Sequence, residues 1–344
     1  MGVKGMGLSI RKQKILRAII TEHVKSAQPI GSRTIAKRYK IGLSSATIRN
    51  EMADLEEAGF LFQPHTSAGR VPSQKGYRYY VDRLMEASNL EEEEKAKIRD
   101  VYEYERLKEI EEIIKHTSEL LSLLTSYTSL ILGPQLKKSA FKKLQIMPVD
   151  YRRGLLVLVA DTGFVKNKII NLPRTLSSGE LGRIVTYLNH RLEGLTIDKI
   201  TSRLIGELRR DLYHHVQFLE DTFMLLEDSL AEDERRVFLG GTSNMLNQPE
   251  FEDVKKIKAL LSLFEQHSLL ASLLERPVAG VEDIVIRIGK ENILKEVQEC
   301  SLVMATYYLG REIMGTIAVL GPTRMDYAKT VAVLQQIVSH LRRL

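Results

Sequence analysis

The densest chemistry in this chain is the run Ser44-Ser45-Ala46-Thr47-Ile48-Arg49-Asn50-Glu51-Met52. Small hydroxyl residues at a helix start can hold a phosphate, because backbone N–H groups and side-chain oxygens converge there. Arg and Asn just behind them are side-chain types that read base edges in a major groove. The run therefore assigns Ser44 and Ser45 to phosphates and Thr47, Arg49 and Asn50 to a groove. Ser32, Arg33 and Thr34 lie one helix earlier, where they would clamp the nucleic-acid backbone. His65, Arg70 and Lys75 come after it and would extend the footprint, with Thr66 and Ser67 beside them. Charge agrees with this placement. Residues 1–85 hold 15 Lys and Arg against 6 Asp and Glu, a balance of +9, so the remaining 259 residues must carry −3 of the chain's +6. A basic excess confined to one small domain is the electrostatic footprint of a DNA-binding module.

Those side chains need a scaffold, and the spacing supplies one. Ser9 caps a predicted helix to about Lys25, with Ile15, Leu16, Ile19 and Ile20 near helical spacing. Pro29-Ile30-Gly31 ends it, and Ser32 is expected to cap a short helix over 33–39. Ile41-Gly42-Leu43 makes a tight turn, and Ser44 caps a helix that points Ile48, Met52 and Leu55 inward and stops at Gly59. Helix, turn and helix form the expected tri-helical unit with the recognition helix last. Phe60 to Gln63, a tip over 64–69 and Arg70-Val71-Pro72 then read as a hairpin, a wing rather than an ordinary turn given its position. Tyr77, Tyr79 and Tyr80 on the next helix are expected to pack, because duplex DNA offers no unstacked bases to receive them.

Beyond residue 88 the pattern changes twice. A connector and one long helix are predicted to Leu132, ended by Gly133-Pro134. Strands are expected over 143–148, 154–160 and 165–172, the last two as a hairpin around Asp161-Thr162-Gly163. From Ser177 helix dominates to about Glu275, with apolar stripes at Phe218, Leu219, Phe223, Leu226 and Leu230 and again at Ile257 to Phe264. Strands return over 284–288, 302–309 and 315–320, and a last helix spans 326–341. The order β, helical, β predicts an α+β chain in which a mainly helical insertion interrupts a mixed domain.

Other motifs carry less. Asp161-Thr162-Gly163 has no second copy to share a proton with, so a hairpin turn is the better reading. His214-His215 are adjacent and on a helix diverge by about a quarter-turn, which does not suit one metal. Gly240-Gly241-Thr242 and Gly321-Pro322-Thr323 lack the rest of a phosphate loop. Cys300 is the single cysteine, so an intrachain disulfide and a cysteine-rich zinc site are excluded. The expectation is no enzyme, no metal and no cofactor. The apolar runs are far shorter than the ~18 residues of a membrane span, and residues 1–10 lack the apolar core of a secretory signal. Together with 44% hydrophobic and 27% charged residues, this predicts a soluble cytoplasmic protein with no membrane partner.

Two sets of strings resemble one known family. Gly31-Ser32-Arg33, Ser45-Ala46-Thr47-Ile48-Arg49-Asn50-Glu51-Met52, Leu55-Glu56-Glu57-Ala58-Gly59, Pro64 to Pro72 and Gly76-Tyr77-Arg78 form the first. Gly310-Arg311, Met314-Gly315 and Leu320-Gly321-Pro322-Thr323-Arg324-Met325-Asp326-Tyr327 form the second. Both resemble the heat-inducible transcription repressor family HrcA. The resemblance implies a homodimer that binds an inverted-repeat DNA operator of chaperone operons and is held active by the chaperonin. It would be nucleoid-associated when bound. It implies a winged helix-turn-helix over 1–87, a linker helix and the first part of a GAF-like domain over 88–176, an inserted dimerisation domain over 177–276 and the second GAF-like part over 277–344. GAF domains elsewhere bind small ligands, but no residue here argues for one. A different class of reading stays open at this point: an adaptor whose winged helix docks a protein, for which an apolar patch should replace Arg49 and Arg70.

Overall fold

The computed structural model describes residues 7–66, 68–86, 88–105, 110–133, 140–161, 165–172, 177–196, 199–200, 202–211, 236–274, 284–309 and 312–344. Helices and antiparallel sheets are both present, so the fold is α+β as expected. The apolar stripe at Phe218 to Leu230, His214-His215, Thr162-Gly163 and Gly310-Arg311 lie outside the described residues.

The N-terminal unit consists of α1 (Ile10–Ser26), α2 (Ser32–Arg38) and α3 (Ser45–Glu57), followed by the two-stranded hairpin β1 (Leu61–Phe62) and β2 (Val71–Pro72). Ser9 accepts from the Lys12 N–H at 3.4 Å and opens α1 as predicted. Ser32 differs from expectation. It is the first residue of α2, behind Gly31, and caps nothing. Ile15, Leu16, Ile19 and Ile20 from α1, Ile35 from α2 and Ile48, Met52 and Leu55 from α3 meet in one fully buried cluster. Glu22, 5% exposed, anchors α2 by pairing with Arg38 and accepting from the Tyr39 hydroxyl at 3.4 Å. Gly69 lets the hairpin pass against Ile30, where a Cβ would lie 2.4 Å from that residue's backbone, and the Ile30–Arg70 bridge closes at 2.8 and 2.9 Å.

After the hairpin, Ser73 caps α4 (Gln74–Tyr79), which loosens into a π-helix over Tyr80–Leu84. The expected long helix is two, α5 (Glu92–Glu105) and α6 (Ile110–Thr125). Ser126, at a left-handed φ of 61°, ends α6. The residues predicted to finish that helix instead form β3 (Thr128–Leu132), every residue of which is buried.

Strand β3 lies inside a five-stranded antiparallel sheet with β7 (Val237–Gly240), β8 (Val285–Ile288), β9 (Cys300–Leu309) and β10 (Glu312–Pro322), in the order β7-β3-β10-β9-β8. Alternation sends Ile131, Val303, Ala305, Tyr307, Ile317 and Val319 to one face and Leu130, Leu302, Met304, Ala318 and Leu320 to the other. Helix α6 and the C-terminal α11 (Tyr327–Leu341) cover the first face, and α5 packs on both of them. Helices α9 (Val254–Phe264) and α10 (His267–Leu274), with Met245 and Phe251, cover the second.

A separate module holds β4 (Phe141–Pro148), β5 (Arg153–Ala160), β6 (Val165–Asn171), α7 (Ser178–Leu192) and α8 (Ser202–Asp211). Its three strands pair only with one another among the described residues, and its core, from Phe141 through Leu158 and Leu188 to Leu208, is distinct. The chain leaves the main sheet after Gly133 and returns at Arg236, the two joined by a 2.9 Å hydrogen bond. Residues 141–171, expected before the inserted segment at 177, and residues 237–274, expected within it, pack as follows. Strands β4 to β6 go with the insertion because their apolar faces pack on α7 and α8. Strand β7 and helices α9 and α10 go with the main sheet, whose second face they bury. Among the described residues, the separate module holds three strands as well as two helices.

Candidate nucleic-acid interface

The starts of α2 and α3 converge. The Ser32 and Ser45 hydroxyls lie 3.1 Å apart and tie the two helices together across the turn, where Gly42 takes a left-handed φ of 76°. Ser44 accepts from the Thr47 N–H at 3.1 Å and shares a 2.9 Å hydrogen bond with its hydroxyl. Its oxygen thus satisfies one of the orphan donors of the first turn. Burial of Ile48, Met52 and Leu55 fixes the rotation of α3 and turns Arg49 and Asn50 outward, both exposed and without a partner among the described residues. Arg33 is equally exposed and has no partner among the described residues, and Thr34 beside it is half-buried.

The other flank of α3 is occupied. Glu51 pairs with Arg11 at 3.4 Å and Asp54 with Lys12 at 2.9 Å. The hydrogen bond to Asp54 holds the Lys12 ammonium above its ordinary range. Acids on α3 are thus matched by cations from α1, while the cations at the α2 and α3 starts face solvent. An anion meets uncompensated positive charge there, added to the positive end of the α3 dipole.

Of the residues singled out by sequence, Ser32, Arg33, Thr34, Ser44, Ser45, Thr47, Arg49 and Asn50 gather at this one end. His65 is exposed at the hairpin tip, which Gln63 braces by donating to the Thr66 and Ala68 carbonyls at 2.9 Å each. Two others are committed elsewhere. Arg70 is four-fifths buried at the hairpin base, 2.7 Å from Glu56. Lys75 donates to the Ala58 carbonyl at 2.8 Å and sits 4.6 Å from the centre of the Phe60 ring. It caps the far end of α3, where a cation suits the helix dipole. Sequence reasoning passed over Lys37 and Lys40, both exposed and without a partner among the described residues. The spacing of Lys37, four residues after Arg33 and so on the same helix face, was the available signal.

Tyr77 and Tyr79 pack, as expected. Tyr79 meets Phe60 edge-on at 5.3 Å. Tyr77 reaches past the N-terminal unit to Tyr327 of α11.

The family model for the HrcA protein C-terminal domain matches residues 111–331. The chain belongs to the HrcA family. A heat-inducible transcription repressor HrcA of Natranaerobius thermophilus is 50% identical over 336 residues, covering 98% of this chain and 96% of that relative. One from Brevibacillus brevis is 43% identical over 337 residues, covering 98% of each. A crystal structure described as a hypothetical protein matches with a TM-score of 0.67 at 24% identity over 98% of both chains, a likeness of fold alone. HrcA membership makes the chain a transcription repressor of the heat-inducible class rather than an enzyme. Among the described residues, no group of three or more His, Cys, Asp or Glu is placed to hold a metal ion, and no helix is long and apolar enough to cross a membrane.

Proposed function

We propose that the N-terminal unit is a winged helix-turn-helix that places α3 in the major groove of a double-stranded operator. The observation that carries this is the outward, unpaired pair Arg49 and Asn50 on a helix whose opposite face is locked in the core. Thr47 joins them at the groove. Ser45, Ser44 and the α3 N-terminus take phosphates, and Ser32, Arg33 and Thr34 clamp the backbone. His65 reaches the flanking duplex from the wing. Arg70 and Lys75 support the hairpin and α3 rather than touching DNA.

The protein acts as a homodimer on an inverted repeat of chaperone operons, with two-fold symmetry matched to half-sites about one helical turn (~34–36 Å) or a multiple apart. The five-stranded domain is GAF-like, composed of residues 88–133 and 236–344. The module between them, inserted at adjacent strands β3 and β7, carries dimer contacts. The repressor is cytoplasmic, nucleoid-associated when bound, and kept active by the chaperonin. Fluorescence anisotropy with a palindromic chaperone-operon fragment and a scrambled fragment, at several salt concentrations with and without chaperonin, tests the reading. Tight, sequence-dependent binding that chaperonin enhances is expected. Equal, weak binding to both fragments refutes it.

A further inference from the structure

Two strings that carry the family resemblance have no place at the nucleic-acid face: Gly76-Tyr77-Arg78 and Gly321 to Tyr327. They lie some 245 residues apart in sequence, and the fold brings them together. The Tyr77 and Tyr327 rings are 6.1 Å apart, both buried. Tyr77 shares a 2.7 Å hydrogen bond with His23 of α1, and Tyr327 donates to the Thr323 carbonyl at 2.6 Å.

Arg324 stands at the centre, 8% exposed. Its Nη1 donates to the Val24 carbonyl at 3.0 Å, its Nη2 to Gln248 Oε1 at 2.9 Å and its Nε to Glu250 Oε1 at 2.5 Å. Val24 lies in the last turn of α1, whose carbonyls have no partner within the helix. A guanidinium from the main domain thus caps a helix of the N-terminal unit. A second contact lies alongside. Arg78 donates to the Ile286 carbonyl at 2.7 Å and to Glu291 Oε1 at 3.0 Å, while Gln74 Oε1 accepts from the Lys290 N–H at 3.1 Å.

We propose that this junction is an orienting mount, in which Arg324 and Arg78 are positioning residues that fix the angle of α3 relative to the rest of the protomer. Apolar burial holds surfaces together without directional preference. A guanidinium fork has rigid planar geometry and is satisfied in few orientations. Buried ion pairs add little net stability over apolar packing of the same volume, so what this one contributes is register. Because α1 packs on α3 in one core, fixing the end of α1 fixes the recognition helix. Two protomers with fixed α3 angles accept one half-site separation. With loosened mounts they accept many.

The operator part of this inference rests on the dimeric, inverted-repeat reading, so the test has a second arm independent of it. In the first arm, wild type, Arg324→Ala and Arg324→Lys are titrated against a single half-site and against inverted repeats with stepped separations. Wild type should prefer one separation. Both variants should bind the single half-site within about twofold of wild type, lose about tenfold or more at the preferred separation, and show a flattened preference. Arg324→Lys keeps the charge at the end of α1 but not the fork, so it should hold the melting temperature better than alanine without restoring the preference.

In the second arm, spin labels at Lys14→Cys and Ser262→Cys, both exposed positions, report the distance between the N-terminal unit and the main domain. Cys300 is fully buried and should not label. Diluting labelled with unlabelled chain isolates the intrachain distance. A narrow distribution in wild type that broadens in Arg324→Ala, and in Arg78→Gln as a second variant should Arg324→Ala fold poorly, is expected. An unchanged distribution in the folded variants overturns the mount. If wild type shows no preferred separation while the distance still broadens, the operator reading fails and the mount stands.

Discussion

Replacing Arg49 with alanine separates recognition from folding. The side chain is exposed and has no partner among the described residues, so its loss should change stability by no more than about 0.5 kcal/mol. A base-reading contact is worth ~1–3 kcal/mol per half-site. A symmetric dimer loses it twice, roughly 2–6 kcal/mol in total, which corresponds to about 30-fold at the low end and about 20,000-fold at the high end. Anisotropy titrations against operator and scrambled DNA at three salt concentrations would measure this. A base contact shows as a loss confined to the operator with an unchanged salt slope. A phosphate contact shows as an equal loss on both fragments and a slope reduced by about 2 for the two half-sites. Lys75→Ala is the control, since its ammonium serves the Ala58 carbonyl and Phe60. It should cost about 0.5–1 kcal/mol of stability with operator affinity unchanged. Unaltered operator binding by Arg49→Ala, or an operator loss from Lys75→Ala as large as that from Arg49→Ala, would refute the placement of the DNA face at the α2 and α3 starts.

Two further outcomes follow from the architecture. Burial, and then the charge of Arg324, push His23 from 6.5 down to about 4. The unfolded chain then binds the extra proton between those values, so stability is fully present above pH 6.5 and falls as pH drops toward 4, by at most about 3 kcal/mol. His23→Gln should flatten that part of a melting-temperature profile from pH 7 to 4.5, and an unchanged profile would show that His23 is not the group responsible. Replacing residues 134–235 by a short Gly/Ser linker between Gly133 and Arg236 should leave the five-stranded sheet folded, because those residues are already hydrogen-bonded. A single cooperative melt is expected, and the proposed dimer should give way to monomer in sedimentation, whereas loss of the cooperative melt would mean that the module supports the main core.

The N-terminal unit was legible because local signals agree with tertiary packing. Ser9 and Ser44 cap where their positions before apolar-periodic runs predict, and Gly59 lies in the left-handed region after α3. Ser32 misled because a serine before a helix has two uses, and here its hydroxyl faces Ser45. Strand β3 was invisible. It is buried on both faces, so Thr128-Ser129-Leu130-Ile131-Leu132 lacks the period-2 alternation that marks a half-buried strand and reads as the end of α6. Strands β4 to β6 reveal their alternation in sequence but not the sheet they join. At the candidate site, sequence identifies which side chains can touch DNA and not which are already occupied. Arg70 and Lys75 have the right chemistry, but their partners Glu56 and Ala58 are fixed only by the folded hairpin and α4.

The position of β3 also sets a schedule for the nascent chain. Leu132 pairs with Val237, and Ile131 with Ile317. This interior strand is therefore made long before either neighbour exists. At ~5–20 residues per second, the wait for β10 lasts on the order of 10–40 s. Until β7 follows, Leu130, Ile131 and Leu132 have no strand to pair with, and the other edge of β3 stays open until β10 is made; an unpaired apolar strand is a template for pairing with other chains. The inserted module can collapse on its own core in the meantime, whereas the main sheet cannot close until the last strand leaves the ribosome. Folding of this repressor is consequently a late, long-range event.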